Sequence, residues 1–300
     1  MKLWFQRAST AVVVAAVCAA CSPDSPSPPT STAPPNSNQL FPNWPTSLNE
    51  FRFHWSADPN IDMTTGPAVP IRAYLESYYV ASVTASLGNV YPGFLRSTPE
   101  NDDLDGHYVT QLAHIRPLNG VSATPEDVVA HFGYMPFHIM SLDRVAEGFR
   151  AIVCQGQYAD FVNSEVQPGK FVSTSVNQKT GEIQGEVGVA GVAVHRIELT
   201  EHDPRVGPNA PLAVTAPQRG PAPAPDQDVF GNWFFTGASS SFWGPIDASD
   251  PERVSTPELE RQCSDRMPQT EAGRVAMMTG FKDQPPPHGD AIPGWPAKSQ

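Results

Sequence analysis

Several groups of residues in this chain have types and spacings that could do chemistry. In NDDLDGHY, oxygen side chains stand at Asn101, Asp103 and Asp105, followed by Gly106. This alternation matches the first half of a calcium loop, where oxygens converge on a hard cation and a glycine allows the sharp turn. Leu112 stands at the twelfth position, where the bidentate glutamate is due, so the segment reads as an acidic, solvated loop. Three histidine pairs are spaced by seven: His107 with His114, His131 with His138, and His195 with His202. Such a spacing returns a side chain to one face only on a continuous helix. Pro136 interrupts the second pair, and the third runs off the end of a strand pattern. A zinc site needs three or four converging ligands, so these read as ordinary loop and core histidines. Ser239, Ser240 and Ser241 follow Gly237 but form no Gly-x-Ser-x-Gly elbow, the turn that would expose a nucleophile. No residue is therefore assigned a catalytic, cofactor-binding or metal-binding role. A triad assembled from distant residues would leave no local motif, so the absence of one does not dispose of an enzyme.

The most specific chemistry belongs to Cys21. A basic start with Lys2 and Arg7 leads into an apolar, small-residue run from Ala8 to Ala20, and SPDSPSPPTSTAPPNSNQ follows the cysteine. A charged beginning, a short apolar stretch and small residues before a cut are the marks of a secretory signal. The run of about 13 residues is too short for a bilayer span, which takes about 20. With a cysteine at the cut, the segment resembles the signal of bacterial lipoproteins. The resemblance implies that the Cys21 thiol carries a diacylglyceryl group, that residues 1–20 are removed, and that the new amine is acylated. Ala19 and Ala20 fill the small positions, while Cys18 stands where that family has an aliphatic residue. An ordinary secretory signal with Cys21 unmodified is the alternative. Two or three acyl chains, at about 0.8 kcal/mol per buried methylene, would hold the chain lastingly at the extracytoplasmic face of the cell membrane.

Removal of residues 1–20 leaves 17 basic against 31 acidic residues, a net charge of −14. Such a body is poorly suited to phosphate backbones, whose affinity comes from Lys and Arg, so no nucleic-acid partner is expected. The surplus of Arg over Lys in an Ala-, Gly- and Pro-rich chain is similar to that of actinobacterial, including mycobacterial, envelope proteins. Two cysteines remain in the body, Cys154 and Cys263. In an exported protein an even pair reads most simply as a disulfide.

The elements that must position these residues can be read in outline. Residues 21–47 form a Pro/Ser/Thr-rich tether. A single globular domain is expected over 48–280, with a Pro-rich surface loop at 203–226 and a disordered tail at 281–300. Phe51, Phe53 and Trp55 alternate with Arg52 and His54 as a strand does. In IRAYLESYYVASVTASLG, residues Ile71, Tyr74, Leu75, Tyr78, Ala81 and Ala85 share one helical face, and Gly88 is the expected stop. Two further helices are predicted from caps, Thr124 to Gly133 and one opened by Ser141 in SLDRVAEG. From Phe149 the period becomes that of antiparallel strands, and STPELERQCSDRM and TEAGRVAMMTG return to helix. The order implies an α+β fold, N-terminal helices packed on a curved antiparallel sheet, loosely similar to the NTF2-like cone. Tyr74, Tyr78 and Tyr79, with Trp233, Phe234, Phe235, Phe242 and Trp243, either line an apolar pocket or fill the core. The functional expectation is an extracytoplasmic binding or interaction domain, its partner an envelope protein or an apolar small molecule. An enzyme of hydrolase type and a structural envelope component are the alternatives.

Overall fold

Phe51, Phe53 and Trp55 are almost completely buried, so strand β1 (Glu50–Ala57) turns that face to the interior and Arg52, His54 and Ser56 to the other side. The computed structural model describes residues 41, 43–104, 106–117, 128–201, 203–209 and 211–297. Cys21 and nearly all of the expected tether lie outside them. All of the described residues belong to one compact unit.

Helix α1 (Ala68–Val83) follows, opened by Pro67 at its cap and Pro70 in its first turn. It ends before Gly88, where Ala85 takes a positive φ of 49° and breaks the helical path. Every residue from Ala68 to Ser77 is buried, Arg72 and Glu76 included. Over that stretch the helix is enclosed on all sides, whereas the apolar stripe in its sequence implied one solvated face, and it is exposed only near its end, at Ser82. Single turns follow at α2 (Phe94–Ser97) and α3 (Thr110–Ala113).

The sheet is built from β1 and from β2 (His131–Val145), β3 (Gly148–Gly156), β4 (Asp160–Asn163), β5 (Phe171–Ser173), β6 (Val192–Thr200) and β7 (Phe234–Ser239). Its order is β5-β4-β2-β3-β6-β7, strongly curled, with β1 beside β2. The expected α+β class is observed: helices pack on a curved sheet that is antiparallel along this path. The β1–β2 pair is parallel, because the chain crosses over through α1 between the two strands. The first part of β2, His131–Gly133, pairs with β4, and from Phe137 onward β2 pairs with β3, with a register shift between Ile139 and Ser141 inside that second pairing. A short ribbon of β8 (Phe242–Trp243) and β9 (Glu252–Arg253) leads to α4 (Pro257–Arg266) and α5 (Glu271–Met278). Both closing helices begin as their sequence signals suggest, Thr256 Oγ1 accepting from the Leu259 amide and Thr270 Oγ1 from the Gly273 amide.

The sheet has a core on each face. One gathers Phe51, Phe53, Trp55, Phe137, Val153 and Ile197 under α1. The other gathers Tyr134, Cys154, Val194, Cys263 and Met278 under α4 and α5. Cys154 and Cys263 are disulfide-bonded, Cα atoms 5.2 Å apart, which staples α4 to β3 as expected.

Three expectations are corrected. Residues 124–127 of the expected Thr124–Gly133 helix lie outside the described residues, and the remainder is not helical: 128–130 are irregular and His131 opens β2. The helix opened by Ser141 is instead the end of β2, turning at 146–147 into β3. Leu142 there faces Ala151 and Asp143 faces Arg150, and these cross-strand partners outweigh a local capping signal. The tail is ordered at least to residue 297. Ile292 exchanges main-chain hydrogen bonds with Phe53 and Trp55 along the free edge of β1, and Trp295 does so with Ala222. Trp295 is fully buried. Part of the Pro-rich 203–226 loop is buried with it, Pro223 to Pro225 included.

Candidate functional site

The concave face of the sheet and α1 enclose a cavity of about 350 Å³. Tyr74, Leu75 and Tyr78, one turn of α1, form one wall, and His195 and Ile197 on β6 with Ala238 on β7 form the facing one. Its mouth is held together by polar contacts between two loops. The Thr110 hydroxyl donates to the Gly244 carbonyl (2.9 Å), Gln111 accepts from the Gly244 amide (2.8 Å), and the Ile246 amide donates to the Tyr108 carbonyl (3.0 Å). Tyr108, His114, Ser240, Ser241 and Phe242 also line the cavity. Among the described residues no Asp, Glu, Lys or Arg lines the cavity.

Its deeper polar groups come from α1 and β6. Tyr74 is buried, stacked on Phe235 with centroids 4.4 Å apart, and donates its hydroxyl to the Ile115 carbonyl at 2.8 Å. Tyr78 is half-buried, and its hydroxyl has no hydrogen-bond partner among the described residues. His195 meets Gln155 Oε1 through Nε2 at 2.7 Å, and the Gln155 amide nitrogen lies 2.9 Å from the Met135 sulfur. Loss of hydration in this wall pushes the His195 pKa down to about 4, so the ring is neutral at ordinary pH. Burial likewise raises the phenols of Tyr74 and Tyr78, which stay protonated.

The residues singled out in the sequence are distributed unevenly around this site. Tyr74, Tyr78 and Phe242 line the cavity, as do His114, His195 and Ser239 to Ser241. Tyr79 is turned away into a buried network, donating to Asp160 at 2.8 Å beside His131. Trp233, Phe234 and Phe235 are core, and Trp243 packs under the Arg196 guanidinium, 3.9 Å from its ring centre. Seven residues along a strand reverse the face, so His131 and His138 point to opposite sides of β2. His107 is exposed beside Asp247, and His202 lies outside the described residues. The Asn101 side chain is spent on both main-chain groups of Arg116, Asp103 is exposed, and Asp105 lies outside the described residues. Among the described residues no three His, Cys, Asp or Glu side chains converge as metal ligands would.

Two arrangements escaped the sequence. The first is the pair Arg72 and Glu76, four apart on α1. Glu76 accepts from the indoles of Trp55 (2.7 Å) and Trp295 (2.7 Å) and from the Tyr91 hydroxyl (2.9 Å). Burial raises its carboxyl to about 7 against the pull of Arg72 and these three donors. Arg72 lies over the Trp295 ring at 4.3 Å and donates to the carbonyls of Met63, Gln218 and Pro293. The signal was present: these are the only two charges in an otherwise apolar 16-residue helix, which marks a helix buried all round.

The second is a hydrogen-bonded chain on the other face of the sheet. Ser56 and His138 are register partners, with Ser56 Oγ 2.8 Å from His138 Nδ1. His138 Nε2 donates to Asp58 at 3.0 Å, and Arg266 at the end of α4 holds Asp58. A serine, a histidine and an aspartate in this order could activate a hydroxyl. Ser56 is exposed, but the cavity lies behind the sheet. The immediate effect is to satisfy both nitrogens of a buried histidine and to pin α4 to β1 and β2. No protein-family model, curated protein or solved structure matches the chain.

Proposed function

We propose that this chain is a bacterial lipoprotein, held at the extracytoplasmic face of the cell membrane through acylated Cys21, whose α+β domain binds a small, mainly apolar molecule. The observation that carries the binding reading is the cavity of about 350 Å³, lined among the described residues by no Asp, Glu, Lys or Arg. Its size falls within the roughly 300–1,000 Å³ of small-molecule sites, which are mostly apolar with a few placed polar groups. The anchoring reading rests on the signal-like segment before Cys21 and the Pro/Ser-rich stretch behind it. Among the described residues no helix is long and apolar enough to cross a membrane.

Each half has its own test. Cys21→Ala should move the protein from the membrane fraction to the soluble one, and retention in the membrane would count against the anchor. The uncharged fluorophore 1-aminoanthracene should brighten on adding the protein, and Ala238→Trp, which fills the cavity, should suppress the signal. A signal unaffected by Ala238→Trp would place the binding elsewhere.

The Ser56–His138–Asp58 chain favours a second reading, a serine hydrolase. A fluorophosphonate probe that labels Ser56, and fails to label His138→Ala, would move the assignment to an enzyme. An unlabelled protein leaves the chain a structural device.

A further inference from the structure

The polar groups of the cavity restrict what can occupy it. An ionised ligand would bring its charge against walls in which, among the described residues, no Asp, Glu, Lys or Arg stands, at a desolvation cost that the lining hydroxyls offset only in part. The ligand is therefore uncharged. His195 then sets a second condition. The Gln155 amide nitrogen faces the Met135 sulfur, a weak acceptor, so Gln155 turns its oxygen to His195. That oxygen fixes the imidazole proton on Nε2, and Nδ1 is left as an acceptor with no partner among the described residues. Burial keeps the ring neutral, with its pKa at about 4, so Nδ1 remains an acceptor across the ordinary pH range. A carboxylate or a ketone has no proton to give this nitrogen, whereas a hydroxyl does. The Tyr78 hydroxyl, also without a partner among the described residues, can give a proton to the same class of group.

Resting on the binding reading above, we propose that the ligand of the α1–sheet cavity is an uncharged, mainly apolar alcohol or phenol, recognised by donation of its hydroxyl to His195 and by the hydroxyl of Tyr78. Leu75, Ala113, Ile197, Ala238, Phe242 and Ile246 offer apolar contact to the body of such a molecule, beside the hydroxyls of Thr110 and Ser239 to Ser241.

The test uses the full chain carrying Cys21→Ala and three probes of equal length, 1-decanol, 1-methoxynonane and decanoate, each competing with 1-aminoanthracene. 1-Decanol should displace the fluorophore at concentrations at least about tenfold below those of decanoate, whose charge is left unpaired. It should also bind roughly three- to tenfold more tightly than the methyl ether, which cannot donate. His195→Phe and Tyr78→Phe should each abolish most of the preference for the alcohol over the ether. Tyr78→Phe removes a hydroxyl without a partner among the described residues, so it carries the test even if His195→Phe fails to fold. Equal binding of alcohol and ether, tighter binding of decanoate, or a preference unchanged in Tyr78→Phe would overturn the hydroxyl assignment and leave the cavity as a binding site. If neither the fluorophore nor any of the three probes binds, the binding reading itself fails.

Discussion

Glu76 and His195 are held away from their ordinary protonation behaviour by the same burial, and they respond to pH in opposite directions. The Glu76 carboxyl lies at about 7 against 4.5 in the open chain. Its favourable contribution is complete below pH 4.5 and is lost as pH rises through about 7, on the order of 3 kcal/mol in all. His195 lies at about 4 against 6.5, so its contribution is complete above pH 6.5 and is lost as pH falls through about 4, again on the order of 3 kcal/mol. The two slopes oppose each other between about pH 4.5 and 6.5, where the wild-type stability should be nearly flat. Urea midpoints measured across this range should expose each slope alone. His195→Gln should leave stability falling as pH rises, and Glu76→Gln should leave it rising. Parallel profiles for the two variants would contradict the assigned environments. Local pattern reveals neither residue's partners, since those of Glu76 come from positions 55, 91 and 295, and Gln155 reaches His195 only through sheet register.

At the scale of elements, the C-terminal segment is a structural strap. Gly220 and Gly294 allow it to lie against the 203–226 loop, since a Cβ at either position would strike main-chain atoms of the other segment. Trp295 then caps Glu76 and stacks under Arg72. Trp295→Ala should cost about 3–5 kcal/mol in chemical unfolding, from the lost ring and the two buried polar groups left exposed to each other. A loss below about 0.5 kcal/mol would show that the segment merely lies on the surface. Elements with local punctuation were legible in the sequence: Thr256-Pro257 and Thr270 each open a helix where a cap and acidic first turn said so. The strand at Ser141 and the strap around Trp295 were not. Their conformations are set by partners across the sheet or more than two hundred residues away, and local propensity carries no trace of such contacts.

The molecule as a whole joins an acidic body to a segment with the marks of a lipoprotein signal, and places its cavity between the first helix and the concave face of the sheet. The α+β class and the disulfide followed from alternation, spacing and compartment. The cavity was foreseen only as one use of the tyrosines on α1, because burial at Tyr74 and exposure at Tyr78 depend on what β6 and β7 place opposite them. The most direct test of the central claim is native mass spectrometry of the protein isolated from its own host, wild type beside Ala238→Trp. The binding account predicts an added mass from a bound, uncharged organic molecule on the wild type and its loss from Ala238→Trp. A wild-type spectrum with the bare protein mass alone, or an added mass that survives in Ala238→Trp, would contradict it.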